Sequence, residues 1–280
     1  MNLTELFALN TNATHLGLVW RFGGCFDATA ADSFRSRHAQ GVCCELAANP
    51  GPRQRDLYRA AFYRRKHWLS APGRAEVISL ELTGRLFSGL GDKGVFETQA
   101  SLHPVTGLPR IPGSAIKGVL RAWVKQRHRL LTAENSELAA QLPFLWLFGV
   151  SDGDAGSAGA EAANAADAAE SADSAAALII HDAWWDPESQ RAPLELEVDT
   201  PHHALYYTGA ADAASDTDDP NPNPQLAIAG RFLFAIDHAG IGAEWAGVCM
   251  QWLQACLAEN GVGARTTLGY GRMVPVAANG

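Results

Sequence analysis

The residues best suited to chemistry in this 280-residue chain lie where a proline-rich loop enters a helix. In LHPVTGLPRIPGSAIKGVLRAW, residues 102–123, Arg110 and Gly113 end the loop and Ser114 is the predicted N-cap of the helix. A helix N-terminus presents unpaired backbone N–H groups, which suit a phosphate. Four basic residues then recur at four-residue spacing and share one helix face: Lys117, Arg121, Lys125 and Arg129. The pattern predicts contact with a phosphate backbone, although such spacing also suits a solvated helix face.

A second segment of this kind lies near the C-terminal end, in ENGVGARTTLGYGRM, residues 259–273. Its glycines, among them Gly269 and Gly271, are interleaved with Arg265 and Arg272. Glycine permits a positive φ and close approach of the backbone to a ligand. The segment follows a helix and opens a strand, which excludes a dinucleotide-binding fingerprint because that motif has the reverse order. It predicts either a phosphate-binding loop or an ordinary tight turn.

The other polar and aromatic groups give weaker predictions. His202 and His203 are neighbours in an extended segment, so they point to opposite faces and do not suit one metal ion. His181 and Asp182 diverge for the same reason, which favours a structural role over an acid–base pair. No metal or cofactor is expected. Four aromatic residues are candidates for stacking on bases, with at least half of them expected in the core: Trp184, Trp185, Tyr206 and Tyr207.

The charge distribution permits a nucleic-acid partner although the chain has a net charge of -8. Residues 151–177 carry six acidic residues and residues 208–225 carry four, and neither segment contains Lys or Arg. The rest of the chain has 20 acidic and 22 basic residues, so its predicted folded part is mildly basic. The chain has no long apolar run, no signal-peptide pattern and an odd number of cysteines without C-x-x-C spacing. These features predict a cytoplasmic protein with no membrane partner.

Hydrophobic periodicity predicts an α+β fold. Alternating apolar residues predict strands over residues 77–82 and 226–236. Shorter strands are predicted over residues 178–180 and 194–198, and a final strand is predicted over residues 267–276. Apolar stripes at helical spacing, together with one basic segment, predict helices over residues 53–69, 114–131 and 243–259. This order predicts a ferredoxin-like (RRM-like) antiparallel sheet with helices on one face. The other face of such a sheet is where many RNA-recognition domains bind RNA.

The chain is predicted to consist of an N-terminal helical extension (residues 1–74), packed on the core, and one domain over residues 75–280. Residues 151–177 are mostly Ala, Gly, Ser and Asp, so they cannot bury enough apolar surface to fold. They are predicted to be a disordered insert, an alanine-rich helix being the alternative. Residues 199–225 contain three prolines near their end and are predicted to be a flexible excursion with a thumb-like hairpin.

The two glycine-containing segments together resemble the RAMP superfamily of CRISPR-associated proteins. In that superfamily a loop of the form IPGSSxKGxxR leads into a helix, and residues 111–121 read IPGSAIKGVLR, with Ala115 in place of the commoner Ser. A glycine-rich loop closes the superfamily's domain, as GVGARTTLGYGR does at residues 261–272. The resemblance covers residues 75–276. The LHPVTGLPR, LIIHDAWW and VDTPHHALYY stretches look most like the sixth subunit of type III-B (Cmr) effector complexes.

This resemblance implies an RNA-binding scaffold that is not itself a nuclease. Such subunits hold the 3′ part of the guide RNA (crRNA) at the end of the effector's backbone, in antiviral defence. The implied partners are crRNA, target RNA and other RAMP subunits of a Cmr-type complex. Phosphate contacts would position the RNA, while base pairing reads its sequence. The residues implied to contact RNA are Arg110, Gly113, Ser114, Lys117, Arg121, Lys125, Arg265, Gly269, Gly271 and Arg272.

A metal-dependent endoribonuclease of the same fold is the alternative from a different class. Asp92, in SGLGDKGVFE, lies where the resemblance places the cleaving aspartate of a neighbouring backbone subunit, and His103 follows it in the chain. A carboxylate on a glycine-flanked loop is more often a turn residue. A stand-alone RNA-binding domain outside any CRISPR complex is a third interpretation. The non-catalytic scaffold is the main expectation.

Overall fold

The computed structural model describes residues 52–91, 100–134, 143–149, 176–200, 204–209, 212–213, 215 and 223–276. Of the helices in these ranges, none is long and apolar enough to cross a bilayer. In chain order the elements are α1 (Pro52–Leu69), β1 (Ala75–Leu82), β2 (Arg110–Ile111), α2 (Gly113–Glu134), α3 (Phe144–Phe148), β3 (Ala183–Trp185), β4 (Leu194–Asp199), α4 (Ala204–Tyr207), β5 (Asn223–Ile228), β6 (Arg231–Asp237), α5 (Gly242–Glu259), a 3₁₀ turn (Thr266–Leu268) and β7 (Met273–Pro275).

The main sheet has the strand order β2-β3-β6-β1-β7, and every neighbouring pair in it is antiparallel. The longest pairing joins β1 to β6, from Ala75 opposite Asp237 to Glu81 opposite Arg231. The last strand, β7, lies on the other side of β1. This combination of helices and an antiparallel sheet confirms the predicted α+β class.

Helices α2 and α5 cover one face of this sheet. Successive side chains of a strand point to opposite faces, so alternate residues of β1 and β6 reach these helices. Leu80, Phe232 and Phe234 are fully buried there, beside Ile116 and Leu120 of α2. Full burial of each such side chain contributes about 1.5–3 kcal/mol to stability. This layer is the main hydrophobic core.

Helix α1 covers the opposite face, so the prediction of helices on one face only is corrected. Tyr58 and Phe62 of α1 are buried against Leu233, whose side chain points away from the main core. Trp184 and Trp185 of β3 pack beside them. The sheet therefore has apolar side chains on both faces, and a helix is needed on each to exclude water from them.

Two strand predictions also change. The strand predicted over residues 226–236 is two strands, because the backbone turns at Gly230, whose φ of 93° does not fit a strand. Alternation continues on both sides of the turn, so periodicity does not reveal the break. The predicted strand at 178–180 contributes only an isolated bridge from Ile180 to Ile236. The predicted final strand is confined to Met273–Pro275, since part of the preceding loop forms the 3₁₀ turn.

Strands β4 and β5 form a separate two-stranded sheet that stands beside the main one. Their register runs from Leu194 opposite Ile228 to Asp199 opposite Asn223. Arg85, just after β1, donates to the carboxylates of Glu195 and Glu197 on β4. These ion pairs attach the hairpin base to the main domain.

Candidate nucleic-acid interface

A cleft of about 500 Å³ lies between the start of α2 and the loop that follows α5. Ala115 and Val119 of α2 form one wall. Thr266, Thr267 and Arg272 of the glycine-rich loop lie on the opposite side. The structure thus brings together the two segments that the sequence singled out, although about 140 residues separate them in the chain.

The glycine-rich loop is folded tightly against itself. Gly271 has a φ of 75°, and a Cβ atom there would lie 1.9 Å from the carbonyl oxygen of Val262. The Val262 N–H donates to the Gly271 oxygen at 3.0 Å, and the Gly271 N–H donates to the Arg85 oxygen at 2.8 Å. Gly269 has a φ of 91° with nothing near its missing Cβ. Gly271 is therefore required by close packing, whereas Gly269 is required by backbone conformation alone.

The two arginines of this loop have different environments. Arg265 donates to Asp199 of β4 at 2.8 Å, and its guanidinium lies 5.2 Å from the ring centre of Phe87. Arg272 is exposed, lines the cleft, and pairs with no carboxylate of the described residues. Arg265 thus ties the loop to the hairpin, and Arg272 is the loop cation that a ligand in the cleft can reach.

At the other wall, the helix N-terminus already has an anionic partner. Helix α2 begins at Gly113, so Ser114 lies in its first turn and is not the predicted N-cap. The Gly113 N–H donates to the Asp182 carboxylate at 2.8 Å, and Arg110 forms an ion pair with the same carboxylate. Arg65 of α1 donates to the Asp182 carbonyl oxygen at 3.2 Å. Asp182 therefore joins α1, β2 and α2, a role that its sequence position did not reveal.

The predicted basic stripe of α2 also makes contacts within the fold. The Lys117 ammonium donates to the Leu178 carbonyl oxygen at 2.6 Å, and Arg121 donates to the Gly149 carbonyl oxygen at 3.1 Å. Burial, followed by the nearby Arg121 charge, lowers the pKa of Lys117. Lys125 is half-buried further along the helix. These donors brace the segments behind α2, and contact of these side chains with RNA stays a prediction.

Asp182 gives the fold a measurable acid dependence. Burial alone would raise the pKa of its carboxyl group, but the Gly113 N–H and the Arg110 guanidinium outweigh burial and hold that pKa below 3.8. A lowered folded-state pKa stabilises the native chain above about pH 4 and loses that effect as the pH falls further.

We expect Asp182→Asn to reduce the free energy of unfolding at neutral pH by about 1–2 kcal/mol, because Arg110 loses its charged acceptor. Urea denaturation should show that the difference in free energy of unfolding between wild type and variant becomes smaller as the pH is lowered from about 6 to about 3. Other carboxylates titrate in both proteins, so the difference isolates Asp182. A gap of constant size would contradict a role for its charge.

The aromatic residues of β3 are not available for base stacking. Tyr58 stacks on Trp184 at a ring-centre distance of 6.3 Å and donates its hydroxyl to the Trp185 carbonyl oxygen. The Arg65 guanidinium lies 4.7 Å from the centre of the Trp184 ring. These two of the four candidates therefore pack within the fold, in line with the expectation that at least half of them belong to the core. The other two candidates are exposed, to 46% and 78% respectively: Tyr206 and Tyr207.

Several predictions concern residues outside the described ranges, namely those on Asp92, on the 202–203 histidine pair and on residues 151–175. His103 is described: its Nδ1 accepts the N–H groups of Val105 and Thr106, each at 3.3 Å, as in a structural turn. Among the described residues no group of three or more His, Cys, Asp and Glu side chains is arranged to hold a metal ion.

The family model of the RAMP superfamily matches residues 79–274. The chain belongs to the RAMP superfamily. It is 28% identical over 225 residues to the CRISPR system Cmr subunit Cmr6 of Pyrococcus furiosus, an alignment that covers 68% of this chain and 65% of the relative. This RAMP chain thus matches slightly less than two thirds of that relative's length. The predicted resemblance to the superfamily, and within it to the sixth Cmr subunit, is confirmed.

One solved structure shows the same fold as this RAMP protein. A chain in the cryo-EM structure of the type III-B Cmr-β complex bound to cognate target RNA matches with a TM-score of 0.62 at 18% identity, covering 98% of this chain and 95% of that chain. The crystal structure of Cmr6 from Pyrococcus furiosus matches with a TM-score of 0.40 at 25% identity, covering 72% and 98%. The first match establishes a fold shared over nearly the whole chain.

Proposed function

We propose that this RAMP protein is a non-catalytic scaffold subunit of a cytoplasmic type III-B (Cmr) effector in antiviral defence. It would bind the 3′ part of crRNA, next to the target RNA, and would assemble with other RAMP subunits. The similarity to a Cmr subunit supports the complex, and a fold neighbour within a complex that is bound to target RNA supports the RNA partner. No cofactor is needed for this role.

One observation carries the RNA-binding part of the proposal. The two superfamily motifs, residues 111–121 and 261–272, meet at a single cleft. The cleft offers the exposed Arg272 guanidinium and the hydroxyls of Thr266 and Thr267. Cations and hydroxyl groups bind phosphate oxygens without reading base sequence. Such a site positions a guide strand and leaves its bases to pair with the target.

The proposal also covers the finer architecture. We interpret the strand order β3-β6-β1-β7, with α2 before β3 and α5 between β6 and β7, as a ferredoxin-like arrangement. Residues 75–280 would form the RAMP domain, and residues 1–74 an extension of which α1 packs on the sheet. The β4–β5 hairpin would be the base of the thumb-like excursion over residues 199–225.

Purification of the tagged chain from its native host tests the proposed function. We expect CRISPR-derived RNA and further RAMP subunits to co-purify, with ultraviolet crosslinks to this chain concentrated near the RNA's 3′ end. A chain that purifies with unrelated RNA and without RAMP partners would favour a stand-alone RNA-binding domain. A chain without RNA would contradict the proposal.

The non-catalytic part is tested at Asp92, the carboxylate of the alternative nuclease hypothesis. We expect Asp92→Ala to leave target cleavage by the reconstituted complex unchanged, including the spacing of the cuts. Cleavage products should be mapped beside those of Asp212→Ala, which removes an exposed loop carboxylate. If the cut nearest this subunit disappears only with Asp92→Ala, this chain is a nuclease subunit.

A further inference from the structure

Helix α1 carries a concentration of positive charge that the proposed function does not use. Its sequence, PRQRDLYRAAFYRRKHWL, contains one acidic residue, Asp56. Six of its residues are Lys or Arg: Arg53, Arg55, Arg59, Arg64, Arg65 and Lys66. The helix therefore has a formal net charge of +5, far above that of the chain as a whole. Charge this concentrated on one element attracts a polyanion.

The basic residues of α1 divide into those engaged in the fold and those facing solvent. Arg65 is held between the Trp184 ring and the Asp182 carbonyl oxygen, and Arg59 pairs with Glu188 at 2.7 Å. The others include three exposed arginines that pair with no carboxylate of the described residues: Arg53, Arg55 and Arg64. Within the described part of the chain, a ligand can reach these guanidinium groups without displacing an internal partner.

The packing of α1 holds those arginines in place. Phe62 is fully buried and Tyr58 nearly so, which fixes the helix on the sheet and turns its opposite side to solvent. Arg53 and Arg64 are eleven residues apart, so they lie on one row about 16 Å apart along the axis. Arg55 lies about 200° around the helix from Arg53, on the side of Phe62, and is exposed near the N-terminal end of the helix. Helical packing thus orders the surface before a ligand arrives, and less conformational freedom is lost on binding.

The location of this surface points to RNA. In many RNA-recognition domains the face of the sheet opposite the helices stacks on bases through exposed aromatic rings. Here the Trp184 ring of that face is covered by α1, whereas Trp185, the next residue of β3, lies opposite Phe232 of the main core. RNA that approaches this side meets the arginines of α1 instead of the Trp184 ring, although Tyr63 and Trp68 of α1 are themselves 41% and 45% exposed. Phosphate binding by those arginines is independent of sequence.

We propose that the exposed arginines of α1 form a second RNA-backbone contact on the opposite side of the sheet from α2 and α5. Arg53 and Arg64, on the outer face, and Arg55, at the N-terminal end of the helix, would bind phosphates. This inference rests on the proposed function because it takes RNA as the partner. It adds a surface that the two superfamily motifs do not include. An acidic protein surface is the competing occupant, and the experiment separates the two.

The test measures RNA affinity of the full chain with Arg53→Gln, Arg55→Gln and Arg64→Gln combined. Gln keeps helix propensity close to that of Arg, so the helix is retained. Fluorescence anisotropy with two unrelated single-stranded RNAs of about 20 nucleotides, over a range of salt, gives affinity and its salt dependence. Each phosphate contact contributes about 0.7 to the log–log salt slope, so three lost contacts lower it by about 2. Because this electrostatic contribution vanishes at about 1 M salt, a slope lowered by about 2 corresponds to roughly 50-fold weaker binding at about 0.15 M salt. The loss should be equal for both RNAs.

Matched variants on the same helix are the controls. Leu57→Ala removes an exposed, uncharged side chain and should leave RNA affinity unchanged. Asp56→Asn removes the acidic residue of the helix and should leave the affinity equal or increase it. Melting temperatures close to wild type in all three variants would exclude unfolding as the cause of weaker binding.

The outcomes separate this inference from the proposed function. Arg272→Gln, measured in the same way, reports on the cleft. If the triple variant keeps wild-type RNA affinity and salt slope while Arg272→Gln binds RNA more weakly, the α1 contact is overturned and the proposed cleft is supported. If the triple variant binds RNA more weakly while Arg272→Gln binds like wild type, the α1 contact is supported and the cleft is contradicted. If the triple variant binds RNA with wild-type affinity but no longer co-purifies with other RAMP subunits, α1 is a protein-binding surface and the inference is overturned. Absence of any RNA binding by the wild-type chain would overturn it as well.

Discussion

Replacing Gly271 with alanine is expected to leave the chain unable to fold stably. The added Cβ atom would lie 1.9 Å from the Val262 carbonyl oxygen, and its neighbours are backbone atoms that cannot turn aside as a side chain does. The positive φ adds about 1–2 kcal/mol of strain. We expect insoluble protein, or a melting temperature lowered by more than about 10 °C.

Gly269→Ala is the matched control because it has a similar φ but open space around the new Cβ. It should cost about 1–2 kcal/mol, which lowers the melting temperature by roughly 2–8 °C in a chain of this size. Thermal denaturation of the two variants side by side separates steric overlap from backbone strain. Equal, small effects would show that the loop can open at Gly271.

Phe62→Ala is expected to have the next largest effect, about 3–5 kcal/mol, because it removes a fully buried ring between α1 and the sheet. Loss of this ring would loosen α1 and admit water to Trp184 and Trp185. We therefore expect a red shift of tryptophan emission and faster proteolysis within residues 52–69, together with a lower melting temperature.

Leu57→Ala, in which the lost side chain is 65% exposed, serves as the control on the same helix. Its stability should stay within about 0.5 kcal/mol of wild type. If Phe62→Ala melts like Leu57→Ala and keeps wild-type emission, α1 does not depend on this contact to hold its place on the sheet.

Most of the sheet and both core helices could be predicted from sequence because their periodicity reflects one buried face. The alternation of Ile78, Leu80 and Leu82 and the apolar stripe of α5 are of this kind. The helix α1 was predicted to pack on the core, but the sheet face that it covers could not be predicted. Its buried contact depends on few side chains, chiefly Tyr58 and Phe62, in a helix otherwise rich in charge.

The segments that form the candidate site were predicted from the sequence, whereas most contacts of their side chains were not. The glycine-rich loop and the start of α2 were identified from residue type and spacing. The partners of Lys117 and Arg121 were not, because four-residue spacing shows which side chains share a helix face and not what lies opposite. Long basic side chains can lay their stems along the protein and donate to carbonyl groups, as Lys117 does to Leu178.

The position of β1 between β6 and β7 in the sheet also bears on how the chain is made. Its two neighbours, β6 and β7, are synthesised about 150 to 190 residues later. At about 5–20 residues per second, a ribosome needs roughly 10–40 s to supply them. For that interval the β1 sequence AEVISLEL has no native partner, and long-range pairing of this type folds slowly. A nascent chain that stops before Met273 never completes the pairing, so β1 is enclosed on both edges only after β7 has been translated.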